Sequence, residues 1–300
     1  MYISVIIPTF NRAWLLKKCL NSLAKQTHRR YEVIVVDDSS KDLTESVVKN
    51  AMKGNRRVKY FRQQKNQGPG KARNVGIKKS RGEIIAFMDD DCIASEDWLK
   101  NISTEFRKNK DIAGVEGRTV PDRKVGAFSH YIKNATGGHY LTCNMAYRKN
   151  VIKKIMFDER YKMANREDSD LAFSVLDGGG KITFSKDVLV KHIVFRSSFM
   201  SKMRRKKAFM YDMLLWKKHP KLYRKIIRFP FERFTPLYIL FSLLALWNLV
   251  FFVALILISL YEMKYRKWFF NFSDFVKFFV LQVVGSFVLV VYVVYGLLKF

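Results

Sequence analysis

Short apolar segments alternate with helical patterns over the first 120 residues of the chain. The apolar segments are rich in Val and Ile and only a few residues long, which is typical of buried strands. Between them, apolar residues recur at helical spacing. The alternation predicts an α/β fold, Rossmann-like, with a mostly parallel sheet and flanking helices. The predicted strands are residues 4–7, 32–36, 58–61, 84–88 and 112–115, and the predicted helices are 41–52, 70–80 and 96–108.

The pattern changes twice farther along the chain. After residue 120 it is less regular and is interrupted by glycines, so we expect a smaller half that completes a cleft. Near the C-terminus, residues 234–261 and 278–298 carry no charge. Since roughly 20 apolar residues cross a hydrocarbon core of about 30 Å, these runs predict two transmembrane helices. The predicted regions are a globular domain (1–198), a juxtamembrane segment (199–233) and a transmembrane region (234–300).

The juxtamembrane segment is strongly basic. Residues 202–228 contain 11 Lys and Arg and one acidic residue, Asp212, in a chain of net charge +29. Apolar residues between Phe199 and Leu214 fall on one helical face, which predicts an amphipathic helix that contacts membrane lipids. Positive charge before an apolar run favours cytoplasmic retention, so we predict a multi-pass protein of the cell membrane with its globular domain in the cytoplasm. The chain shows no nucleic-acid-binding motif, and we expect no nucleic acid partner.

Three consecutive carboxylates, Asp89, Asp90 and Asp91, follow the predicted strand 84–88. Alternate residues of an extended segment point the same way, so Asp89 and Asp91 can share one ligand. Like charges this close repel unless a cation lies between them, and hard cations prefer carboxylate and phosphate oxygens. The triplet therefore indicates a Mg2+ or Mn2+ site that binds a diphosphate, with a solvated acidic turn as the alternative.

Two further segments place charged residues at predicted helix N-termini. In residues 66–74, Lys71 and Arg73 lie where free backbone amides favour anions, although a helix cap with surface bases has the same pattern. In residues 166–171, several carboxylates precede a helical pattern. One of them is a candidate general base that takes a proton from an attacking hydroxyl. Capping of the helix by Ser169 or Asp170 is the alternative.

These segments, in this order, resemble glycosyltransferase family 2, whose members have the GT-A fold. The resemblance covers about residues 3–200. One piece alone is weak, but seven in the family's order are specific. The matching pieces are SVIIPTFN (4–11), VVDDSS (35–40), residues 66–76, MDDD (88–91), NMAYR (144–148), FDE (157–159) and EDSDL (167–171).

The resemblance implies a role for each candidate residue. The family transfers a sugar from a nucleotide diphosphate donor, here with inversion at the anomeric carbon, and uridine is its commonest base. Asp168 would be the general base and Glu167 would orient a neighbour. His192 would complete the metal shell, with a purely structural histidine as the alternative. The implied nucleotide contacts are Pro8, Phe10, Arg12, Asp38 at the base or ribose, Lys71, Arg73, Asp89 and Asp90, and the implied ligands of Mn2+ or Mg2+ are Asp91, Asp89 and His192.

The chain departs from the family's pattern at two places. The Gln-x-x-Arg-Trp motif of the processive synthases is not found, and Arg166 stands where a glycine usually precedes Glu-Asp. The second departure leaves open the shape of the turn before Glu167.

We predict a membrane-anchored, metal-dependent glycosyltransferase that acts on a hydroxyl of a lipid-linked saccharide. A polyprenyl-phosphate glycosyltransferase is the first alternative, but its ionised acceptor needs no general base, whereas a hydroxyl does. A non-catalytic membrane scaffold is the second, and it predicts loss of metal carboxylates that are all present. Gly285 and Ser286 would permit a homo-oligomer through close packing of transmembrane helices.

Overall fold

The computed structural model describes residues 1–248, 250–266, 268 and 271–300 and divides the chain into two compact units. The first unit comprises residues 1–122 and 132–193, and the second comprises 123–131 and 194–300. Every residue predicted to bind nucleotide or metal, or to act as the base, belongs to the first unit. The domain limits predicted at residues 198 and 233 stay predictions.

An eight-stranded sheet forms the centre of the first unit. The strands in chain order are β1 (Ile3–Thr9), β2 (Tyr31–Asp37), β3 (Val58–Arg62), β4 (Ile84–Phe87), β5 (Cys92–Ala94), β6 (Ile112–Pro121), β7 (Ser129–His130), β8 (Met145–Arg148), β9 (Lys181–His192) and β10 (Phe195–Arg196). The sheet has the order β3-β2-β1-β4-β8-β6-β9-β5, while β7 and β10 pair in the second unit. The first four strands are parallel, as predicted, because a helix connects each of them to the next and returns the chain to the same end of the sheet.

The fifth predicted strand takes a place that the alternation does not indicate. β6 begins at Ile112 as predicted but extends to Pro121, and it does not lie beside β4. Instead β8 lies between β4 and β6 and runs antiparallel to both. The sheet is therefore rich in parallel pairs but mixed. β8 lies in the region after residue 120, where the alternation of strands and helices is no longer regular, so the sequence pattern does not identify it.

Helices flank this sheet. They are α1 (Ala13–Ala24), α2 (Thr44–Gly54), α3 (Pro69–Lys79), α4 (Trp98–Lys108), α5 (Lys149–Ile155) and α6 (Glu167–Asp177). Helix α3 crosses β1 so closely that a Cβ at Gly76 would overlap the side chain of Ile6. Arg73 lies one turn before Gly76 and is buried on the same side of the helix. Glycine at position 76 thus lets α3 carry Arg73 to the sheet.

The second unit is helical. Its helices are α7 (Phe199–Lys206), α8 (Tyr211–Lys218), α9 (Pro220–Leu222), α10 (Thr235–Leu244), α11 (Val250–Tyr265) and α12 (Phe272–Lys299), with a 3-10 turn (Lys207–Met210) and a π-turn (Tyr223–Ile227) between them. The amphipathic segment predicted from residue 199 is thus divided between α7 and α8. Part of its apolar side packs inside the unit, since Met213 lies in one cluster with Leu289 and Val293 of α12.

The prediction of two transmembrane helices is wrong. Among the described residues one helix, α12, is long and apolar enough to cross a membrane, with 28 residues and a mean hydropathy of 2.3 over an 18-residue window. The run 234–261 is divided between α10, with 10 residues, and α11, with 16. The side chain of Asn248 accepts a hydrogen bond from the N–H of Val250, which favours a new helix start in an uncharged run. Leu249, inside that run, lies outside the described residues.

Helix α12 has a buried side and an exposed apolar side. Gly285 and Ser286, which the sequence offers for contact between copies, are buried inside the second unit. Val280, Val284 and Val291 are 40, 46 and 63% exposed on the other side. An exposed valine stripe of this length is compatible with a hydrocarbon surrounding.

Candidate functional site

The carboxyl ends of β1 and β4 bring the acidic triplet beside the segment that follows β1. The hydroxyl of Thr9 donates a hydrogen bond to Asp90 at 2.7 Å. Nη1 of Arg12 donates to Asp90 at 3.1 Å and to Asp91 at 2.8 Å. The two carboxylates therefore share one cationic group at the strand ends, where α/β sheets bind their ligands.

Burial and mutual repulsion control the charge of the triplet. Burial raises the pKa of Asp90 to about 7, and Asp91 adds to the rise while Arg12 opposes it. Burial raises the pKa of Asp91 to about 6, with a further contribution from Asp89. A nearby cation stabilises the ionised form of buried, mutually repelling carboxylates, because it offsets both the cost of burial and the repulsion. The position thus favours a positively charged ligand.

His192 lies beside Asp91 because β5 pairs with β9. The register places Cys92 opposite His192, and Nε2 of the ring lies 3.3 Å from Oδ1 of Asp91. Burial lowers the pKa of His192, which favours the neutral imidazole that binds metals. A carboxylate oxygen and an imidazole nitrogen at this separation can share one divalent cation. These residues therefore fit the metal that the resemblance implies.

Asp38 lies just after β2 and is buried. It accepts hydrogen bonds from the side chain of Gln63 at 2.6 Å and from the backbone amides of Gln67 and Gly68, both at 2.8 Å. Burial raises the pKa of Asp38, and these three donors oppose the rise. Asp38 thus fixes the loop that leads into α3. Its predicted contact with the base or ribose stays a prediction.

One cavity of about 320 Å³ lies in front of these strand ends. Seven of the eight predicted nucleotide contacts line it, and the exception is Lys71. The Lys71 ammonium instead donates to both carboxylate oxygens of Glu159, at 3.0 and 2.9 Å. The predicted lining residues are Pro8, Phe10, Arg12, Asp38, Arg73, Asp89 and Asp90, and Thr9, Asn66, Lys162 and Met163 join them without having been predicted.

Arg73 connects the acidic triplet with Glu167 at the start of α6. Its Nη2 donates to Asp89 at 2.8 Å and its Nη1 to Glu167 at 3.1 Å. The guanidinium also lies over the ring of Phe157, at 5.6 Å from the centroid. Burial raises the pKa of Glu167 to about 7, and Asp168 adds to the rise while Arg73 opposes it. Arg73 and Glu167 therefore hold each other in place between the acidic triplet and Asp168.

Replacing Arg73 by Met should destabilise the first unit by roughly 3 to 5 kcal/mol, because it leaves buried carboxylate charge without its partner. Urea unfolding measures the change. Lys71→Met is the matched control. Its partner Glu159 is 39% exposed, so we expect a loss of about 1 kcal/mol or less there. Equal losses in the two variants would contradict the inference that Arg73 neutralises buried charge.

Helix α6 begins with two consecutive carboxylates, Glu167 and Asp168, which form the acidic pair. Asp168 is in its first turn, and Oδ1 of Asp168 accepts the backbone N–H of Ser169 at 2.8 Å. Burial raises the pKa of Asp168. The residue at the helix cap is Arg166, which makes no side-chain capping bond, so neither Ser169 nor Asp170 serves as the cap. The N-terminal turn of α6 therefore presents Asp168 without using it as the cap.

Arg166 has the left-handed backbone that the family's usual glycine adopts easily, with φ +73°. We expect Arg166→Gly to be more stable than Arg166→Ala by about 1 kcal/mol, since only the alanine variant keeps the left-handed strain of a β-carbon. Both variants lose the same side chain, so the comparison isolates the backbone. Thermal unfolding of the two proteins provides the measurement, and a more stable alanine variant would rule out strain at this turn.

The fold and the clustered carboxylates are those of a glycosyltransferase. Residues 4–167 match the family model described as glycosyl transferase family 2, and the chain belongs to this family. Among solved structures, the mannosyltransferase PcManGT from Pyrobaculum calidifontis, in complex with GDP-Man and Mn2+, has a TM-score of 0.66 and 17% identity, covering 99% of this chain and 87% of that one. S. aureus TarS 1-349 in complex with UDP-GlcNAc has a TM-score of 0.57 and 23% identity, covering 75 and 73%.

Curated relatives match over shorter lengths. Glycosyltransferase AglE of Haloferax volcanii is 30% identical over 203 residues, which cover 64% of this chain and 66% of the relative. The GalNAc(5)-diNAcBac-PP-undecaprenol beta-1,3-glucosyltransferase of Campylobacter jejuni is 47% identical over 125 residues, covering 41% of this chain and 39% of the relative. The chain thus spans less than two thirds of the Campylobacter relative and about two thirds of the archaeal one.

Proposed function

We propose that the chain transfers one sugar, with inversion, from a nucleoside diphosphate donor to a hydroxyl of a lipid-linked saccharide at the cytoplasmic face of a membrane. The observation that carries the proposal is the cavity at the ends of β1, β2 and β4, where Arg12 and the acidic triplet meet. The adjacent acidic pair on α6 supplies the base that accepts a proton from the attacking hydroxyl.

The roles of the residues follow from their surroundings. Arg12 and Thr9 orient the triplet for a diphosphate, and Asp89, Asp91 and His192 would hold Mn2+ or Mg2+. When bound, that cation neutralises charge on the departing diphosphate. The imidazole in the ligand set favours Mn2+ over Mg2+, which prefers oxygen ligands alone. UDP is the proposed nucleotide, because a solved complex of the S. aureus relative, 34% identical to this chain over 177 residues, contains UDP.

Asp168 is the proposed general base. It is less buried than Glu167, which is 3% exposed and engaged by Arg73. An acceptor hydroxyl therefore has access to Asp168 and not to Glu167. Burial raises the pKa of Asp168, and a raised pKa makes a carboxylate a better proton acceptor once it is ionised.

The lipid-linked acceptor is proposed from two observations. The Campylobacter relative is a glucosyltransferase whose name specifies an undecaprenol-linked saccharide. In this chain, the exposed apolar side of α12 and the basic residues of 202–228 belong to one unit. Apolar contact with acyl chains and attraction to anionic headgroups act together at a membrane surface. A polyprenyl-phosphate acceptor is the alternative that the acidic pair disfavours.

Binding of nucleotides to the full chain tests the donor half of the proposal. A ligand present at 100 times its Kd stabilises the folded state by about 2.7 kcal/mol. Thermal unfolding with UDP, GDP and CDP, each with and without Mn2+, should therefore show the largest rise for UDP with Mn2+. If no nucleoside diphosphate raises the unfolding temperature, the cavity is not a donor site.

A further inference from the structure

Glu116 of β6 is a buried carboxylate that holds a loop by its backbone. Glu116 is 2% exposed. Its oxygens accept the backbone N–H groups of Gly138, His139 and Tyr140 at 2.7, 2.9 and 2.6 Å. The side chain of Asn134 donates a fourth hydrogen bond at 2.7 Å. Three consecutive amides that converge on one anion form a nest, and the anion here is the protein's own.

The loop of residues 134–140 is fixed at its start and open near its end. Asn134 exchanges two backbone hydrogen bonds with β6, both 2.8 Å long. Gly137 and Gly138 have φ values of +81° and +83°, which glycine adopts without strain. A Cβ at Gly138 would meet no atom within 4 Å. The loop therefore turns bare backbone outward, followed by an exposed His139 and a half-buried Tyr140.

This loop lies beside the helix that carries the proposed base. The ring of Tyr140 meets Phe173 of α6 edge-on, with centroids 6.2 Å apart. Tyr147 of β8 is fully buried, and its hydroxyl has no hydrogen-bond partner among the residues that the structure describes. Burial raises the pKa of Tyr147, and the carboxylates of Glu116 and Asp168 add to the rise. The hydroxyl of Tyr147 is therefore a buried polar group that carries no charge at neutral pH.

We propose that the loop 134–140 is the subsite for the acceptor saccharide and that Glu116 is its positioning residue, an inference that rests on the proposed function. A saccharide presents hydroxyl groups and apolar ring faces. Tyr140 offers an aromatic face, and the bare backbone at Gly138 permits close approach.

Glu116 acts on the acceptor without touching it. An ionised carboxylate is costly to bury unless hydrogen bonds compensate it, and here four donors do so. Three of these donors belong to the loop backbone and the fourth is Asn134, which also accepts the N–H of Gly137, so Glu116 and Asn134 together hold the loop in shape. A change at position 116 should therefore alter acceptor recognition while the donor cavity stays as it is.

The first test compares acceptor and donor kinetics of Glu116→Gln. Glutamine keeps the size of the side chain but has one accepting oxygen, and its NH2 group faces the loop amides. With UDP-sugar and a polyprenyl diphosphate-linked N-acetylhexosamine as probe, we expect the acceptor KM to rise at least about tenfold. The affinity for the donor, and its slow hydrolysis by water, should change by less than about twofold. Tyr140→Ala should raise the same KM roughly tenfold, while Tyr140→Phe should leave it unchanged.

Glu32→Gln is the matched control for loss of a buried carboxylate. Glu32 is 1% exposed, and it accepts hydrogen bonds from Ser4, Lys59 and the N–H of Arg81 at the amino end of β2. We expect it to lower stability as Glu116→Gln does and to leave the acceptor KM unchanged.

The outcomes separate the two proposals. An unchanged acceptor KM in Glu116→Gln, or an equal rise in Glu32→Gln, overturns the subsite. If the unaltered protein moves sugar neither to the probe nor to water, the proposed function fails first.

Discussion

Asp168→Asn should bind the donor as tightly as the unaltered protein yet lose transfer by roughly 100-fold to 10,000-fold, the usual contribution of a general base. Asparagine keeps the size of the side chain and can still accept the N–H of Ser169, so the turn at the start of α6 is retained. It cannot take a proton from the acceptor hydroxyl. Rates of transfer to a lipid-linked saccharide, together with a separate measurement of donor affinity, provide the test.

Two controls sharpen this experiment. Asp177→Asn changes the same charge at the exposed end of the same helix, and it should keep full activity. The second control replaces the acceptor by a polyprenyl phosphate, whose oxygen is already ionised at neutral pH. Strong transfer to that phosphate by Asp168→Asn would show that the acceptor is a phosphate and that Asp168 is not a base.

The pH dependence of transfer should have an acid limb that belongs to Asp168. The base must be ionised to accept a proton, so the rate should fall as the pH is lowered through the pKa of Asp168. Burial raises that pKa, and the fall should begin at higher pH than for an exposed aspartate. A profile measured at saturating donor and acceptor should lose this limb in Asp168→Asn.

Asp91→Asn should lower transfer by at least about 100-fold, because it weakens the electrostatic stabilisation of the departing diphosphate. It should also remove the difference that Mn2+ makes to the affinity for UDP. The reason is the position of Asp91, which is buried beside His192 with its pKa raised to about 6 by burial and by Asp89. Titration of UDP with and without Mn2+ measures the effect directly.

Asp187→Asn is the charge-matched control for this prediction. Asp187 is an exposed residue of β9, the strand that also carries His192, and its replacement should leave the Mn2+ effect intact. His192→Gln should reduce the apparent affinity for Mn2+ and keep nucleotide binding in its absence. An Asp91→Asn protein that is active with an unchanged metal requirement would remove Asp91 from the ligand set.

The sequence predicts the first four strands of the sheet well. The strands β1 to β4 are short apolar runs connected by helices, so both their type and their parallel pairing follow from local patterns. The contact between Asp91 and His192 could not be predicted in the same way. It depends on the pairing of β5 with β9, which lie about a hundred positions apart and have no local signal that relates them.

The local pattern misled at one other place. The run 234–261 is uncharged, so hydropathy alone makes it one segment. A hydropathy average over many residues does not detect the single hydrogen bond from the N–H of Val250 to Asn248.

Because Gly76 has no side chain, substitutions at this position affect the placement of helix α3. Arg73 reaches Asp89 only because α3 rests directly on Ile6. A side chain at position 76 would overlap Ile6, so either Ile6 or the helix must shift, and a shift of the helix moves the guanidinium. A sequence change in the hydrophobic core would then displace Arg73, which lines the cavity proposed for the donor. Variants at Gly76 or Ile6 should therefore be classed with active-site variants when loss of activity is interpreted.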